Sequence, residues 1–268
     1  MPFRMAWLLL LSYIIAGSSV SGKPVSYYDP PGKPILAGDR RAVALRHGRL
    51  VAWDTRTGRR LWAFGRGLGG GSYRDADGQW GLVTGLVFAA DGRVFTHSHF
   101  GRLYAVSAQS GRMLWSEVSR QAVDVTKNKY GTWRNFNLVA MDGDANLLAT
   151  AYFHGLTVYD AATGHELWRI TLPPEDTGSM NVNLTPKLVL LERFTEGAGM
   201  HTVTDALDRR TGKLLWTGLG AFDPEKSCRG RIDLEQFYLG EVANHPTWLH
   251  HQVVAERTGK VLKEYLTK

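Results

Sequence analysis

Five copies of one short segment run through this chain and limit what it can fold into. Each copy has an alternating apolar strand, a polar turn that ends in Gly, and a second strand. Their spacing of about 50 residues is that of a propeller blade and not that of a helical solenoid. The copies read RLVAWDTRTGRRLWAF from Arg49, RLYAVSAQSGRMLWSE from Arg102, GLTVYDAATGHELWRI from Gly155, TVTDALDRRTGKLLWTG from Thr202 and QVVAERTGKVLKEY from Gln252.

Two positions of the repeat have a clear structural role. The first is the turn glycine, because Gly adopts a positive φ without steric cost and so closes a hairpin. The second is a Trp four residues later, present in four of the five copies. It predicts an apolar wedge between neighbouring sheets whose N–H needs an acceptor. The fifth copy has Lys263 instead, as expected of a terminal repeat. These repeat residues are Gly58, Trp62, Gly111, Trp115, Gly164, Trp168, Gly212, Trp216 and Gly259.

The repeat divides residues 34–268 into five similar units. In the second unit, a strand at 82–89, a turn at Asp91–Gly92 and the strand RVFTHSH precede the repeated hairpin. We therefore predict an all-β, single-domain β-propeller over residues 34–268, with about five four-stranded blades. The fifth blade is expected to begin with RIDLEQFYLGE at residues 231–241.

The first 33 residues differ in composition from the repeats. Arg4 is positively charged, residues 6–16 are apolar and small residues follow up to Gly22, which is the pattern of a secretory signal peptide. We predict a signal peptide over residues 1–22 and a secreted or periplasmic protein after its cleavage. Residues 23–33 are Pro-rich and predict an extended segment, which either caps one face or adds a strand to the last blade.

The turn and the Trp that follows it resemble the repeat of the pyrroloquinoline-quinone (PQQ) type β-propellers. That family includes the quinoprotein alcohol dehydrogenases, the outer-membrane assembly lipoprotein with the same repeat, and many envelope proteins. A WD40 repeat is the alternative that Trp53–Asp54 suggests, but only one of the five copies has this dipeptide. The resemblance implies the fold and leaves the function open, because one fold hosts many functions.

For the quinoprotein dehydrogenases, the resemblance implies eight blades, a vicinal cysteine pair against the quinone, a calcium ion held by carboxylate and amide groups, and a catalytic Asp. This chain has one cysteine, Cys228, and about five repeats. We therefore expect no cofactor and assign no catalytic, cofactor-binding or metal-ligating residue, while PQQ stays open as a ligand.

Two short motifs resemble ligand loops. Gly65-x-Gly67-x-x-Gly70 has the glycines of a dinucleotide fingerprint but leaves a hairpin without a helical pattern after it, which favours a flexible connection. Asp142-x-Asp144-x-Asn146 resembles the start of a calcium loop but lacks the Gly and the Glu that such a loop needs. A plain hairpin turn is therefore the favoured interpretation.

Histidines suggest a second kind of site. His97 and His99 alternate on one strand and so share a face, and His154 or the pair His250–His251 could complete a metal site with them. Packed or surface histidines are the favoured interpretation, because nothing in the sequence brings a third ligand close.

The best candidate contact surface is a long connection. Residues 64–80 and 118–136 form longer connections than the others, and such segments often carry function. The second connection combines cations with aromatic residues, as protein interfaces do. The alternative is an insertion that folds over the propeller end with Trp133 buried. The candidate binding residues are Arg120, Lys127, Lys129, Tyr130, Trp133 and Arg134.

Net charge narrows the partner classes. The chain carries a formal charge of +7, which favours anionic partners such as a lipid surface or an acidic polymer. No dense Lys/Arg run indicates dedicated nucleic-acid binding. The leading hypothesis is a monomeric, non-catalytic scaffold that binds a protein partner in the cell envelope. The alternatives are a quinone-dependent dehydrogenase-like enzyme and a ligand-sensing propeller domain.

Overall fold

The structure is a computed structural model of the chain. Every regular element among the residues that it describes is a β-strand. Within the same residues, no helix is long and apolar enough to cross a membrane. The described residues are 25–26, 34–66, 68, 72–74, 80–82, 87–98, 102–119, 127–128, 131–132, 138–152, 155–172, 179–195, 201–228, 230–238 and 248–267.

The described strands form four four-stranded antiparallel sheets, one sheet in which β1 joins four consecutive strands, and two short ribbons. In chain order they are β1 Val25–Ser26, β2 Ile35–Leu36, β3 Arg41–Arg46, β4 Arg49–Asp54, β5 Arg60–Phe64, β6 Ser72–Arg74, β7 Trp80–Leu82, β8 Val87–Ala90, β9 Arg93–His97, β10 Arg102–Ser107, β11 Met113–Val118, β12 Lys127–Asn128, β13 Gly131–Thr132, β14 Leu138–Gly143, β15 Leu147–Tyr152, β16 Gly155–Asp160, β17 Glu166–Thr171, β18 Ser179–Leu184, β19 Leu188–Thr195, β20 His201–Asp208, β21 Leu214–Leu219, β22 Ala221–Cys228, β23 Arg231–Tyr238, β24 Trp248–Ala255 and β25 Val261–Thr267.

Each four-stranded sheet is a meander of consecutive strands, as in a propeller blade. The sheets contain β2–β5, β8–β11, β14–β17, β18–β21 and β22–β25. The prediction of an all-β propeller with about five blades is therefore confirmed. In every sheet the repeated hairpin supplies the last two strands, so the sequence repeat and the blade coincide.

The N-terminal segment contributes one strand, and not to the last blade. Val25 pairs with Met141 and Ser26 pairs with Ala140, so β1 extends the third sheet along the free edge of β14. The sequence left two alternatives for this segment, a cap over one face and an added strand in the last blade. The structure instead pairs Val25 and Ser26 with the third sheet.

The fifth sheet begins earlier in the chain than predicted. Its first strand is β22, and the segment that was expected to begin the blade is the second strand, β23. The pairing of β22 with β23 shifts register between Asp223 and Cys228. Pro224 lies in that irregular stretch, where its missing N–H does no harm, and with the charged neighbours it hid the strand from the sequence pattern.

The chain divides into two compact units. The first contains Met1–Leu148 with Tyr159–Leu167, and the second contains Ala149–Val158 with Trp168–Lys268. The boundary runs through the third sheet, and the domain limits at residues 22 and 33 stay predictions. Each unit has a core of apolar side chains: Val43, Leu50, Leu68, Val87, Val94 and Val106 in the first, and Leu188, Leu190, Trp216, Ile232, Leu234 and Val254 in the second.

The five signature turns share one geometry. Their glycines have φ between 65° and 76°, and each glycine N–H donates to the carbonyl oxygen four residues earlier. Asp54, Asp160 and Asp208 begin three of these turns, and one carboxylate oxygen of each accepts two backbone N–H groups and a Thr hydroxyl. The Thr hydroxyl is the main reason why the pKa of each of these carboxyls is lowered.

The four repeat Trp side chains each contact the signature turn of the following sheet. Each ring covers that turn's glycine so closely that a Cβ added there would lie 2.6 Å from ring atoms. Each Nε1–H donates to a turn carbonyl oxygen: Trp62 to Ala108 at 3.1 Å, Trp115 to Ala161 at 3.0 Å, Trp168 to Arg209 at 3.1 Å and Trp216 to Glu256 at 2.8 Å. These four turns therefore need Gly for a second reason besides its positive φ: a Cβ at this position would collide with the Trp ring.

Gly58, in the first signature turn, differs from the other four turn glycines. Its φ is 67°, like the others, but a Cβ added there would meet no described atom within 4 Å. Its turn keeps the same carboxylate contacts through Asp54. The protein therefore contains its own control for what the Trp ring adds to a signature turn.

Candidate functional site

The connection between the second and third sheets contains a β-ribbon. Lys127 pairs with Thr132 and Asn128 pairs with Gly131, so Lys129 and Tyr130 are the two residues that join β12 to β13. A two-residue connection between antiparallel strands is a tight hairpin in other proteins. The remaining predicted contact residues, Arg120, Lys129, Tyr130, Trp133 and Arg134, lie outside the described residues, and Lys127 is described only as a member of β12.

The Gly-rich connection is more ordered at its start than a flexible linker. The N–H of Leu68 donates to the carbonyl oxygen of Gly48, Leu68 forms a β-bridge with Ser98, and its side chain is buried. Gly65, at φ 70°, packs directly against Leu68. The ribbon strand β6 follows this segment where a dinucleotide fingerprint needs a helix, and Gly67 and Gly70 lie outside the described residues.

The predicted histidine and aspartate motifs take structural roles. His97 is buried, and its Nδ1 lies 3.1 Å from the carbonyl oxygen of Ser98. One carboxylate oxygen of Asp144 accepts the N–H groups of Asn146 and Leu147, as a hairpin turn requires. His99 and His154 lie outside the described residues. Among the described residues, no group of three His, Cys, Asp or Glu side chains is placed to hold a metal ion.

A buried polar network in the fifth sheet was not predicted from the sequence. His251 is fully buried, with Nδ1 3.0 Å from a carboxylate oxygen of Asp233 and Nε2 2.8 Å from the hydroxyl of Thr267. The Tyr265 hydroxyl donates to the second oxygen of Asp233, and its ring stacks on His251 at 4.5 Å. These contacts link side chains on three paired strands, β23, β24 and β25. They therefore stabilise the pairing of these strands in the fifth sheet.

Glu192 on β19 is a buried carboxylate whose pKa is raised by burial. Its side chain is 5% exposed, and burial raises its pKa to about 7. The side-chain amide of Asn183 donates to it at 2.9 Å, and the N–H of Phe222 on β22 also donates. The charged form is thus partly stabilised, and the group joins the fourth sheet to the fifth.

The residues present do not fit the quinone site of the quinoprotein dehydrogenases. The single cysteine of the chain, Cys228, is exposed at the end of β22, so a vicinal pair is absent from the sequence. Two of the buried acids, Asp233 and Glu192, are already hydrogen-bonded to His251, Tyr265 and Asn183. No step of quinone chemistry is derived for this chain.

Comparison with known proteins supports the fold. No family model matches the chain. A curated relative, the quinohemoprotein alcohol dehydrogenase ADH-IIG of Pseudomonas putida, is 27% identical over 208 residues, which are 74% of this chain and 25% of that protein. The chain therefore spans about a quarter of the length of this relative.

Two solved structures are similar to this chain, and the likeness of the first supports the fold. A europium-containing methanol dehydrogenase matches with a TM-score of 0.51 at 14% identity, covering 90% of this chain and 52% of that chain. BamB from Moraxella catarrhalis matches with a TM-score of 0.39 at 13% identity, covering 85% of this chain and 74% of that chain.

The class of protein follows from these observations: five meander sheets with a shared signature hairpin make this chain a β-propeller. More narrowly, its repeats are of the PQQ-like type, similar to those of the quinoprotein dehydrogenases. At these levels of identity the likeness is one of fold, and it assigns no activity to the chain.

Proposed function

We propose that this protein is a secreted or periplasmic, non-catalytic propeller that binds a protein partner in the cell envelope. The observation that carries the proposal is the ribbon β12–β13 in the connection between the second and third sheets. A ribbon on a packed scaffold presents residues at a defined place, which lowers the entropic cost of binding. The leader-like sequence of residues 1–22 and the PQQ-like repeats support the envelope location.

The chemistry of the connection fits a protein surface with acidic groups. Lys127 belongs to β12, Lys129 and Tyr130 are the two residues between β12 and β13 in the sequence, and Trp133 and Arg134 follow β13 in the sequence. Charged groups at an interface rim mainly set the association rate and its salt dependence, while a central aromatic side chain sets the dissociation rate. We therefore assign the two lysines to recognition and Trp133 to retention of the partner.

Affinity capture from envelope extract tests this proposal. The wild-type chain is compared with the triple variant Lys127→Ala, Lys129→Ala, Trp133→Ala, and captured proteins are quantified by mass spectrometry. A matched control, Arg46→Ala with Arg102→Ala, removes two exposed cations elsewhere. We expect a protein partner that the wild type and the control retain and that the triple variant loses.

Two smaller variants, one that removes the two lysines and one that removes Trp133, separate an effect on binding from an effect on folding. Lys127→Ala with Lys129→Ala should slow association, and Trp133→Ala should speed release, while the melting temperature stays nearly constant because exposed substitutions usually cost within about 0.5 kcal/mol. If Trp133→Ala instead unfolds the protein and leaves binding per folded molecule unchanged, the connection is a structural lid and the proposal is wrong.

The curated match supports a second candidate, a quinone-dependent dehydrogenase-like activity, because it covers 74% of this chain. The test is a dye-reduction assay on the purified chain with added PQQ, calcium and a primary alcohol. The scaffold proposal predicts no turnover and no saturable quenching of Trp fluorescence by PQQ. A turnover rate that increases with PQQ concentration would refute the scaffold proposal and support the dehydrogenase-like activity.

A further inference from the structure

We propose that two adjacent signature turns of the second unit form a docking surface for an anionic lipid bilayer. The two turns contain the same tetrapeptide, Arg-Thr-Gly-Lys, at residues 210–213 after β20 and at residues 257–260 after β24. These two segments are called the RTGK turns below. The inference is independent of the protein-partner proposal, because none of its residues lies in the connection 118–136.

The RTGK turns lie side by side. The Nε1–H of Trp216, which follows the first turn, donates to the carbonyl oxygen of Glu256 beside the second turn, and the Trp216 ring covers Gly259. Lys187 bridges the same two turns: its carbonyl oxygen accepts the N–H of Arg209, and its Nζ lies 3.4 Å from a carboxylate oxygen of Glu256. The cations of both turns therefore belong to one end of two neighbouring sheets.

The positive charge at this end is not neutralised by the acids near it. Arg210, Lys213, Arg257 and Lys260 are exposed, and they form no ion pair with any residue that the structure describes. The two acids of the turns are engaged elsewhere. Asp208 points into its own turn and accepts hydrogen bonds from Arg210 N–H and Thr211, and Glu256 is buried against Lys187 and Thr185. A dense cationic surface therefore faces solvent.

The shape and composition of this surface favour a bilayer. The exposed side chains of the RTGK turns are arginine, lysine and threonine, which bind phosphate oxygens. They stand on the tips of hairpins and contain no aromatic residue on which a nucleic-acid base would stack. The four cations are exposed on two adjacent turns, and each Lys or Arg near an anionic leaflet adds a favourable electrostatic contribution.

Vesicle flotation tests the inference. The full chain is mixed with vesicles of phosphatidylcholine alone or with one quarter phosphatidylglycerol, and the zwitterionic vesicles measure any partitioning through the apolar residues 6–16. The test variant is Arg210→Ala, Lys213→Ala, Arg257→Ala, Lys260→Ala. The charge-matched control is Arg46→Ala, Arg102→Ala, Arg169→Ala, Lys263→Ala, all exposed in the structure.

We expect phosphatidylglycerol to increase binding of the wild type and the control, and the test variant to lose this increment by about 1000-fold at low ionic strength. Raising the salt concentration should release the wild type, because the Debye length shrinks. Equal losses in the test and control variants would show that only net charge matters and would overturn the inference. Binding to a soluble acidic polymer without any phosphatidylglycerol increment would overturn the lipid assignment as well.

Discussion

Substituting a signature-turn glycine by alanine separates the two purposes of that residue. Gly58 and Gly164 have φ values of 67° and 76°, and both follow an Asp-x-x-Thr turn with the same carboxylate contacts. They differ in one respect. A Cβ at Gly164 would lie 2.6 Å from the Trp115 ring, whereas a Cβ at Gly58 would meet no described atom within 4 Å.

The expected magnitudes follow from this difference. Gly58→Ala should cost about 1–2 kcal/mol, the penalty of a left-handed conformation for a residue with a Cβ. Gly164→Ala should lower the free energy of unfolding by the same amount for its conformation. Overpacking against the Trp115 ring should cost about 1–3 kcal/mol more, and disturbing the hydrogen bond from Trp115 to Ala161 about 1 kcal/mol more. The two variants should therefore differ by about 3 kcal/mol, which corresponds to about 9 °C in melting temperature.

Calorimetric or circular-dichroism melting of the two variants measures this difference, and a double-mutant cycle assigns it. Trp115 is 9% exposed, so Trp115→Ala should cost about 3–5 kcal/mol. In that background Gly164→Ala should cost no more than Gly58→Ala does, because the ring that it meets is gone. Equal melting temperatures for the two single glycine variants would refute the role assigned to the Trp ring.

Three further predictions concern the fifth turn, the buried Glu192 and the leader. Ala255 occupies the place that Asp54, Asp160 and Asp208 occupy in other turns, so Ala255→Asp should raise the melting temperature by about 2 °C. Because the pKa of these turn carboxyls is lowered, this gain should be full above the pKa of an unfolded Asp and disappear as the pH falls through the folded value; a gain that persists in acid would contradict it. Burial raises the pKa of Glu192 to about 7, so its ionisation destabilises the fold, and Glu192→Gln should gain about 3 kcal/mol over the wild type between about pH 5 and pH 8. Parallel stability curves for the two proteins in urea titrations would exclude this effect. Secretion should leave a mature chain that begins near residue 23, and N-terminal sequencing that finds Met1 in a soluble cytosolic fraction would exclude export.

The repeat made the blades predictable, because it contains short-range rules. Three residues define the repeat: a turn glycine, an Asp three residues before the Thr-Gly step and a Trp four residues after the glycine. The glycine and the Asp act within their own hairpin, and the Trp contacts the turn of the next sheet. Blades one, three and four follow all three rules. Blade two has Ser107 in place of the Asp, and the fifth blade has Ala255 and Lys263 in place of the Asp and the Trp. The strand β22 was missed because its stretch with Pro224 and charged neighbours has no alternating pattern, and it pairs through a shifted register.

Long-range contacts were not predictable from the repeat. The pairing of β1 with β14 joins residues more than a hundred positions apart, and nothing in the local sequence selects that sheet. The network of Asp233, His251 and Thr267 depends on cross-strand register in three strands. The sequence singled out His251 as a metal ligand candidate because it shows the residue type but not its neighbours. The connection 118–136 was chosen from its composition and length, and the structure adds the ribbon β12–β13 within it.

Native mass spectrometry of the protein recovered from the envelope of its producing cell tests the central claim most directly. The mature chain is purified under mild conditions, and the intact complex and its dissociation products are weighed. A scaffold propeller predicts a complex of one mature chain with a protein partner, and no quinone mass on the released chain. A released chain that carries a stoichiometric quinone and calcium, without a protein partner, would contradict the account and support the dehydrogenase-like alternative.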